Sequence, residues 1–377
     1  MSRYDVIDAD QHIIEPPDLW ERWLPSAHRA RAPRLVKDED GGDAWQLGEH
    51  VEPLGLVTVM ATPPEAMRWT GVRYATLHRG CWEPEGRLEL MDRDGIDAAI
   101  IYPPQRTMRY FMSTTDADFH LAGIQAYNDW VLTSFCAGRP DRLGAIAQMP
   151  ALGVPKMVEE LRRTHKLGAR GVSLSTWPGG GPSLGPDDDP FWAAAEELRM
   201  PVHLHISLVV AGEKRQRTGV QRGGPAQLAS LATTLSAMPR LIADTIFHGV
   251  FERFPGLRMV GAEAGAGWVP YLLGEMDDRY RRNRFWTGVQ LRRLPSEYFR
   301  RNWMLGFIRD AYGVQNRHAV GLKNIMWASD FPHHINDWPN SRWLINDMSV
   351  GVPAAEKHAL FCGNAGRLYG FLQGGTA

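Results

Sequence analysis

Cysteine is scarce. Cys81, Cys136 and Cys362 are few, odd in number and far apart in 377 residues, which excludes a disulfide framework and a thiolate metal site. No run approaches the roughly 18 apolar residues of a membrane span, and no apolar segment backs the opening Met1-Ser-Arg-Tyr-Asp5. A cytoplasmic protein with no membrane partner is therefore expected. Neither sign of charge is in excess, at 42 basic against 43 acidic residues, so nothing points to nucleic acid and small molecules are the expected clients. A homo-oligomer is left open. Gly-x-Gly-x-x-Gly and Gly-Lys-Ser/Thr motifs do not follow any apolar run, which weakens nucleotide and dinucleotide binding. Repeats and low-complexity tracts are also missing.

What is abundant is tryptophan, fourteen residues, implying large rigid apolar surfaces in the core or around a bulky ligand. The most informative stretch is Val6-Ile-Asp-Ala-Asp-Gln-His-Ile-Ile-Glu15 before Pro16-Pro17. It reads as a buried strand that turns polar at its carboxyl end and cannot continue past the prolines. Side chains two apart share a strand face, so Asp10 and His12 emerge together.

Residues 24–85 are rich in Pro, Gly, Arg and Trp without clear period and read as an insertion. It holds a small hairpin, Ala44 to Gly48 then Val51, and a cluster of Arg68, Trp69, Arg73, His78, Arg79 and Trp82 that could cover the site and choose the substrate. From Arg87 helical segments alternate with apolar runs: Asp97–Tyr102, Leu143–Met149, Gly171–Ser175, Pro201–His205, Leu257–Glu263, Trp303–Ile308 and Ile325–Asp330. A long helix is expected over 226–254, and a mobile Gly/Pro-rich loop over 177–190. With the first run these make eight strands. Strand and helix alternating throughout imply a parallel sheet, and eight units suit a closed (β/α)8 TIM barrel of the α/β class, one domain over 1–377 with an insertion after strand 1.

Such barrels keep their chemistry at the carboxyl ends of the strands. Those ends carry Asp10 and His12, His203 and His205, Glu263, and Asp330 with His333 and His334. Each alone has a bland explanation: a turn, a helix cap, a hydrogen-bonded core histidine. Together, two histidines and two or three carboxylates on one face suit a divalent ion, Zn, Mn or Fe, with water in an open position.

Several segments resemble the amidohydrolase-related family, the branch of the amidohydrolase superfamily typified by aminocarboxymuconate-semialdehyde decarboxylase. They are Ile7-Asp-Ala-Asp-Gln-His-Ile-Ile-Glu-Pro16, Pro201-Val-x-x-His205, Phe251-Glu-Arg-Phe-Pro-Gly-Leu257 leading to Glu263-Ala-Gly-Ala-Gly-Trp268, Ser329-Asp-Phe-Pro-His333, Gly363-Asn-Ala365 and Leu368-Tyr-Gly370. The resemblance spans nearly the whole chain outside the insertion. It implies a barrel whose ion is held by Asp10, His12, His205 and Asp330. Glu263 stands where the family's decarboxylases usually carry histidine, and Asp10 where histidine or glutamate is frequent.

Losing an imidazole that could protonate a substrate carbon turns the expectation toward metal-assisted hydrolysis of a bulky aromatic or polycyclic substrate. Asp330 would take the proton of a metal-activated water while His333 or Glu263 serves the leaving group. A non-oxidative decarboxylase would use the same ligands, with His333 as proton carrier. A third reading counts carboxylates: Glu15, Glu263, Asp10 and Asp330 with His12, His205 and His248 are enough for two ions, the setting of a non-heme diiron oxygenase. One ion is favoured over two. His248, inside an apparent helix, is the weakest member.

Overall fold

A computed structural model describes residues 4–206, 208 and 223–372. Its strands in chain order are β1 (Ile7–His12), β2 (Arg34–Lys37), β3 (Asp43–Leu47), β4 (His50–Pro53), β5 (Ala98–Tyr102), β6 (Leu143–Gln148), β7 (Gly171–Leu174), β8 (Val202–His205), β9 (Met259–Ala262), β10 (Trp303–Phe307) and β11 (Ile325–Trp327). Strands β1 and β5 to β11 form one sheet in that spatial order, each pair parallel. Closure is made by His12 N–H donating to Phe331 O at 2.6 Å and Asp330 N–H donating to Asp10 O at 3.0 Å, around a parallel bridge between Gln11 and Phe331. The architecture is the (β/α)8 barrel read from the sequence.

The barrel strands were legible because helices cover a parallel sheet from outside, so its strands are continuous buried runs. Every residue of β5, β6, β7 and β9 is buried. Pro103 and Pro150 stand just past β5 and β6, where a ladder needs no further donor. Among the described residues no helix is long and apolar enough to cross a membrane.

Three expectations need correcting. The helix over 226–254 is broken into Gly224–Ala232, a short turn Thr234–Ala237, Met238–Phe247 and Val250–Arg253. Pro239 opens the third piece, where its missing N–H costs nothing, and Gly249 at φ +68 separates the last two. The loop over 177–190 is not loosely held: Asp188 accepts from the N–H groups of Gly179 and Gly185, and buried Trp177 packs edge-on against Trp192. The hairpin of the insertion is β3 with β4, but it carries a third antiparallel strand, β2, paired with β3. Half-exposed Arg34-Leu-Val-Lys37 gave too weak an alternation to mark it.

The insertion is tied to the barrel at named points. Ile14 N–H donates to Cys81 O at 3.1 Å, Tyr74 OH donates to Glu15 O at 2.6 Å, and Arg106 on the helix Gln105–Met112 donates to Pro53 O at 2.6 Å. All three cysteines are buried and unpaired.

Candidate metal centre

At the carboxyl end of the barrel, β1, β8, β9 and β11 bring together the side chains singled out above. His12 Nε2 lies 3.3 Å from Asp10 Oδ1, 3.0 Å from Asp330 Oδ1 and 3.1 Å from His205 Nε2. His205 Nε2 is 3.5 Å from Asp10 Oδ2, and His333 Nδ1 is 3.0 Å from Asp330 Oδ1. The His333 ring stacks on His12 with centroids 4.0 Å apart. Two four-residue groups have ligand atoms all within 4.8 Å of one another: Asp10, His12, His205, Glu263, and His12, Glu263, Asp330, His333.

Two observations test whether a cation fits. Both carboxylate oxygens of Asp10 and Oδ1 of Asp330 are buried without any hydrogen bond, an expensive arrangement unless another positive group satisfies them. The Nε2 atoms of His12 and His205 lie 3.1 Å apart, and each is also within 3.5 Å of an Asp10 oxygen. Hard oxygens and imidazole nitrogens converging on one point fit a divalent ion.

The electrostatics agree. Burial and the neighbouring His333 and His205 hold the His12 pKa well below its usual range, keeping the ring neutral as a ligand must be. Burial lowers His333 to about 4. Burial opposes the charged form of His205 too, but the Asp10 and Glu263 carboxylates outweigh it and raise its pKa. Half-buried Glu263 and buried Asp330 form one carboxyl pair, each pushed well above the usual carboxylate range, chiefly by desolvation and then by neighbouring carboxylates. Such a pair shares a proton.

Backbone strain gathers here. Among the described residues five non-glycines have positive φ, and three of them, Ile206 at 62, Glu263 at 51 and Asp330 at 58, end β8, β9 and the β11 run. The surrounding structure enforces these conformations to aim the side chains.

Behind the ligands runs a buried polar clamp that the sequence reading missed. Asp8 accepts from Ser329 N–H at 2.9 Å, Ser329 Oγ at 2.5 Å and Gln11 Nε2 at 2.8 Å. Arg87, wholly buried, donates to Gln11 Oε1 at 3.0 Å, His12 O at 2.7 Å and Gly80 O at 2.7 Å. These bonds lock β1 to the β11 end and to the insertion. Arg87 gave no sequence signal, because at the start of an amphipathic helix an arginine reads as exposed.

Other candidates lie elsewhere. Glu15 lines the adjoining cavity but stands outside both groups; its carboxyl accepts from the Thr107 hydroxyl, and burial raises its pKa to about 7. His203 is a core histidine whose Nδ1 is 2.5 Å from Tyr102 OH and whose ring stacks on Tyr369. A side chain on Gly171 would strike it, at 2.5 Å from Nε2. His248 is exposed at the end of an outer helix. His334 is half-buried and belongs to neither group.

The centre opens into a cavity of about 610 Å³. His12, His205, Glu263 and His333 face it from the barrel, and Trp45, Leu47, Glu52, Leu54 and Trp69 from the insertion. Arg106 and Arg109 enter from the helix after β5. Arg106 lies over the Trp69 ring, 5.3 Å from its centroid. Arg73 and Trp82, expected to choose the substrate, do not line it: Arg73 binds Gly41 O, and Trp82 packs on Tyr74.

Among characterised proteins, the chain is 26% identical over 290 residues to a gamma-resorcylate decarboxylase of Rhizobium sp. (strain MTP-10005), covering 73% of this chain and 86% of that one. It is 23% identical over 269 residues to the 2-amino-3-carboxymuconate-6-semialdehyde decarboxylase of Dictyostelium discoideum, covering 71% of each. An amidohydrolase of Mycobacterium avium subsp. paratuberculosis K-10 superposes with a TM-score of 0.76 at 21% identity over 98% of this chain and 100% of that one. The 5-carboxyvanillate decarboxylase of Novosphingobium aromaticivorans DSM 12444, solved with manganese and 4-hydroxy-3-methoxy-5-nitrobenzoic acid, does so at 0.68 and 17%, over 98% and 96%.

These relatives overturn the expectation of hydrolysis. Its premise was that replacing a strand-six histidine by Glu263 removes the proton donor for carbon. Glu263 stands beside Asp330 with its pKa raised, and a carboxyl can carry a proton as an imidazole does, so the substitution does not rule out decarboxylation. The relatives named give no support to oxygenase chemistry. A family model described as amidohydrolase matches residues 7–371, and the chain, an enzyme fold with a metal-ligand set at its strand ends, belongs to that family.

Proposed function

We propose that the protein is a divalent-metal-dependent decarboxylase acting on a hydroxylated aromatic or muconate-type carboxylic acid. What carries this reading is that the relatives matching most of the chain are decarboxylases of such acids. Asp10, His12, His205 and Asp330 would hold the ion, and Glu263 and His333 would handle the proton. We propose manganese first, as in the carboxyvanillate decarboxylase structure; oxygen and imidazole donors suit it. Bound there, the ion supplies a Lewis acid that orients and polarises the oxygens of the substrate.

The chain supplies the rest. Trp45 and Trp69 offer flat apolar walls for a ring, and Arg109 sets positive charge against an anionic substrate beside Arg106, which is paired with Glu52 at 3.5 Å. Glu263 faces the cavity. Its carboxyl proton passes to the carbon bearing the carboxylate; the bond between that carbon and the carboxyl carbon breaks, its electron pair returns to the ring, and CO2 leaves. The net change is RCOO⁻ plus H⁺ to RH plus CO2. His333, about a quarter exposed beside buried Asp330, connects the pair to the cavity for reprotonation.

The test is turnover of a panel of hydroxybenzoic acids by manganese-loaded protein in D2O. CO2 release with one deuterium at the vacated carbon is expected. Cleavage of amides or lactones instead, with every acid in the panel untouched, would overturn the proposal.

A further inference from the structure

The segment that carries Asp10 and His12 does not stop at the metal centre. Ile13, Ile14 and Glu15 run on from β1 along the wall of the same cavity. Glu15 is three residues past His12, so its Cα lies at most about 11 Å further along the chain. That is a reach in which one substituted ring fits between the centre and Glu15. The side chain is 4% exposed and belongs to neither group of ligand atoms. Ile14, Trp45, Leu47 and Leu54 give the cavity an apolar lining, against which Glu15 is a polar mark.

A carboxyl in such a place calls for donors, and the fold supplies few. Among the described residues the one side chain that donates to it is Thr107, whose single hydroxyl proton also lies within reach of Pro104 O at 3.3 Å. Tyr74 is close, but its hydroxyl donates to the backbone O of Glu15 at 2.6 Å. Arg106 acts on the carboxyl through its charge, while its Nη1 donates to Pro53 O at 2.6 Å. The shortfall shows in the acidity: burial prevails over Thr107 and Arg106 and raises the Glu15 pKa to about 7. A buried acceptor short of donors gains from a donor on whatever enters the cavity. With Arg106 acting on the same carboxyl and Arg109 also lining the cavity, a cationic donor is disfavoured and a neutral one is selected.

We propose that Glu15 is a specificity-determining residue that accepts a hydrogen bond from a ring hydroxyl of the substrate, carried on the side remote from the metal centre. The proposal rests on the reading of the protein as a decarboxylase of aromatic acids and narrows it to acids bearing such a hydroxyl. A site built to hydrogen-bond a hydroxyl rejects the analogue that lacks it, because the buried acceptor is then left unpaired.

The test reads binding rather than turnover, so it fails or succeeds separately from the reaction. Manganese-loaded protein is titrated calorimetrically at pH 8 with pairs of hydroxybenzoic acids that differ only in carrying hydroxyl or hydrogen meta or para to the carboxyl. In at least one pair the parent should favour the hydroxyl by about 10- to 100-fold, the scale of one hydrogen bond to a charged group. In Glu15→Gln, which keeps the shape and a neutral acceptor, the preference should shrink several-fold; in Glu15→Leu it should disappear. Comparison within a pair cancels any general weakening of a variant, and the Gln variant decides the matter if the Leu variant does not fold. A parent that binds no pair, a parent that binds both members of every pair equally, or the same preference in parent and Glu15→Gln would each overturn the proposal. A preference that disappears with Glu15, for acids that release no CO2, would uphold the subsite and overturn the decarboxylase reading instead.

Discussion

The strand-end centre and the insertion meet in one cavity yet are built by different means. The centre consists of buried and half-buried side chains on β1, β8, β9 and the β11 run, held by hydrogen bonds among Asp8, Ser329, Gln11 and Arg87 and by enforced backbone conformations at Glu263 and Asp330. The insertion is a small antiparallel sheet followed by single-turn helices and loops, and its strands β2 and β4 are half open to solvent. It reaches the cavity with a few large side chains and is fastened by single contacts such as Arg106 to Pro53 O. Chemistry placed on the rigid part and contact area placed on the looser part can change separately. Substitutions in the two regions should therefore fail in different ways.

The largest effects belong to the centre. His205→Ala should lose metal and activity together. Glu263→Gln should keep about one ion per chain and lose about 10²- to 10⁴-fold in turnover, since the proton donor is gone and the ligand set remains. Metal analysis beside initial rates separates them. A Glu263→Gln protein that turns over normally would remove Glu263 from the mechanism.

Next comes the clamp. Asp8→Asn keeps the size of the side chain but offers one carbonyl oxygen where Asp8 accepts with two. Its expected cost is about 10- to 100-fold in metal affinity, the usual range for groups that orient ligands, while kcat of the fully loaded protein changes little. Titration with manganese followed by activity at saturation tests this; unchanged affinity would reduce the clamp to a packing feature.

Legibility divides along the same boundary. Asp10 and His12 were readable because strand period two puts them on one face, and His205, Glu263 and Asp330 because each ends a buried apolar run. Arg87, Thr107 and Tyr102 were not. Their roles come from partners 76, 92 and 101 positions away along the chain, and no local pattern carries that information. Glu15, singled out by its nearness to His12, lies outside both four-residue groups, and one of its carboxylate oxygens accepts from the Thr107 hydroxyl. In the insertion the sequence marked richness in Arg and Trp without saying which of them turn inward. Trp69 faces the cavity and Trp82 does not.

That last contrast gives a smaller, sharper prediction. Trp69→Ala should raise KM about 10-fold, the scale of one lost aromatic contact, with kcat nearly kept and metal content unchanged. Arg73→Ala, in the same insertion but bonded to Gly41 O, should leave both constants alone. Equal effects from the two would mean that the insertion acts as a whole, through its docking rather than through individual cavity walls.

The smallest expected effect separates the barrel itself from the centre it carries. His120, on the helix Ala117–Trp130, is 1% exposed and accepts from Ala151 N–H through Nε2 at 3.1 Å. Burial lowers its pKa from 6.5 to about 4. A protonated ring would turn an N–H against the Ala151 N–H, so the folded state holds the neutral form. The unfolded chain takes up its proton near pH 6.5, whereas the folded chain resists until about pH 4. Stability contributed by the neutral ring is thus complete above pH 6.5 and is lost as pH falls toward 4, amounting to about 2 kcal/mol by pH 5. Replacement by glutamine retains an acceptor for Ala151 N–H without a titrating group, and denaturant unfolding at pH 8 and pH 5 should show the variant losing less between the two by about that amount. Its kcat at pH 8 should match that of the parent, because His120 belongs to neither ligand group and does not line the cavity. An identical acid loss in parent and variant would place the pH sensitivity of folding elsewhere, in the buried carboxyls and histidines of the centre.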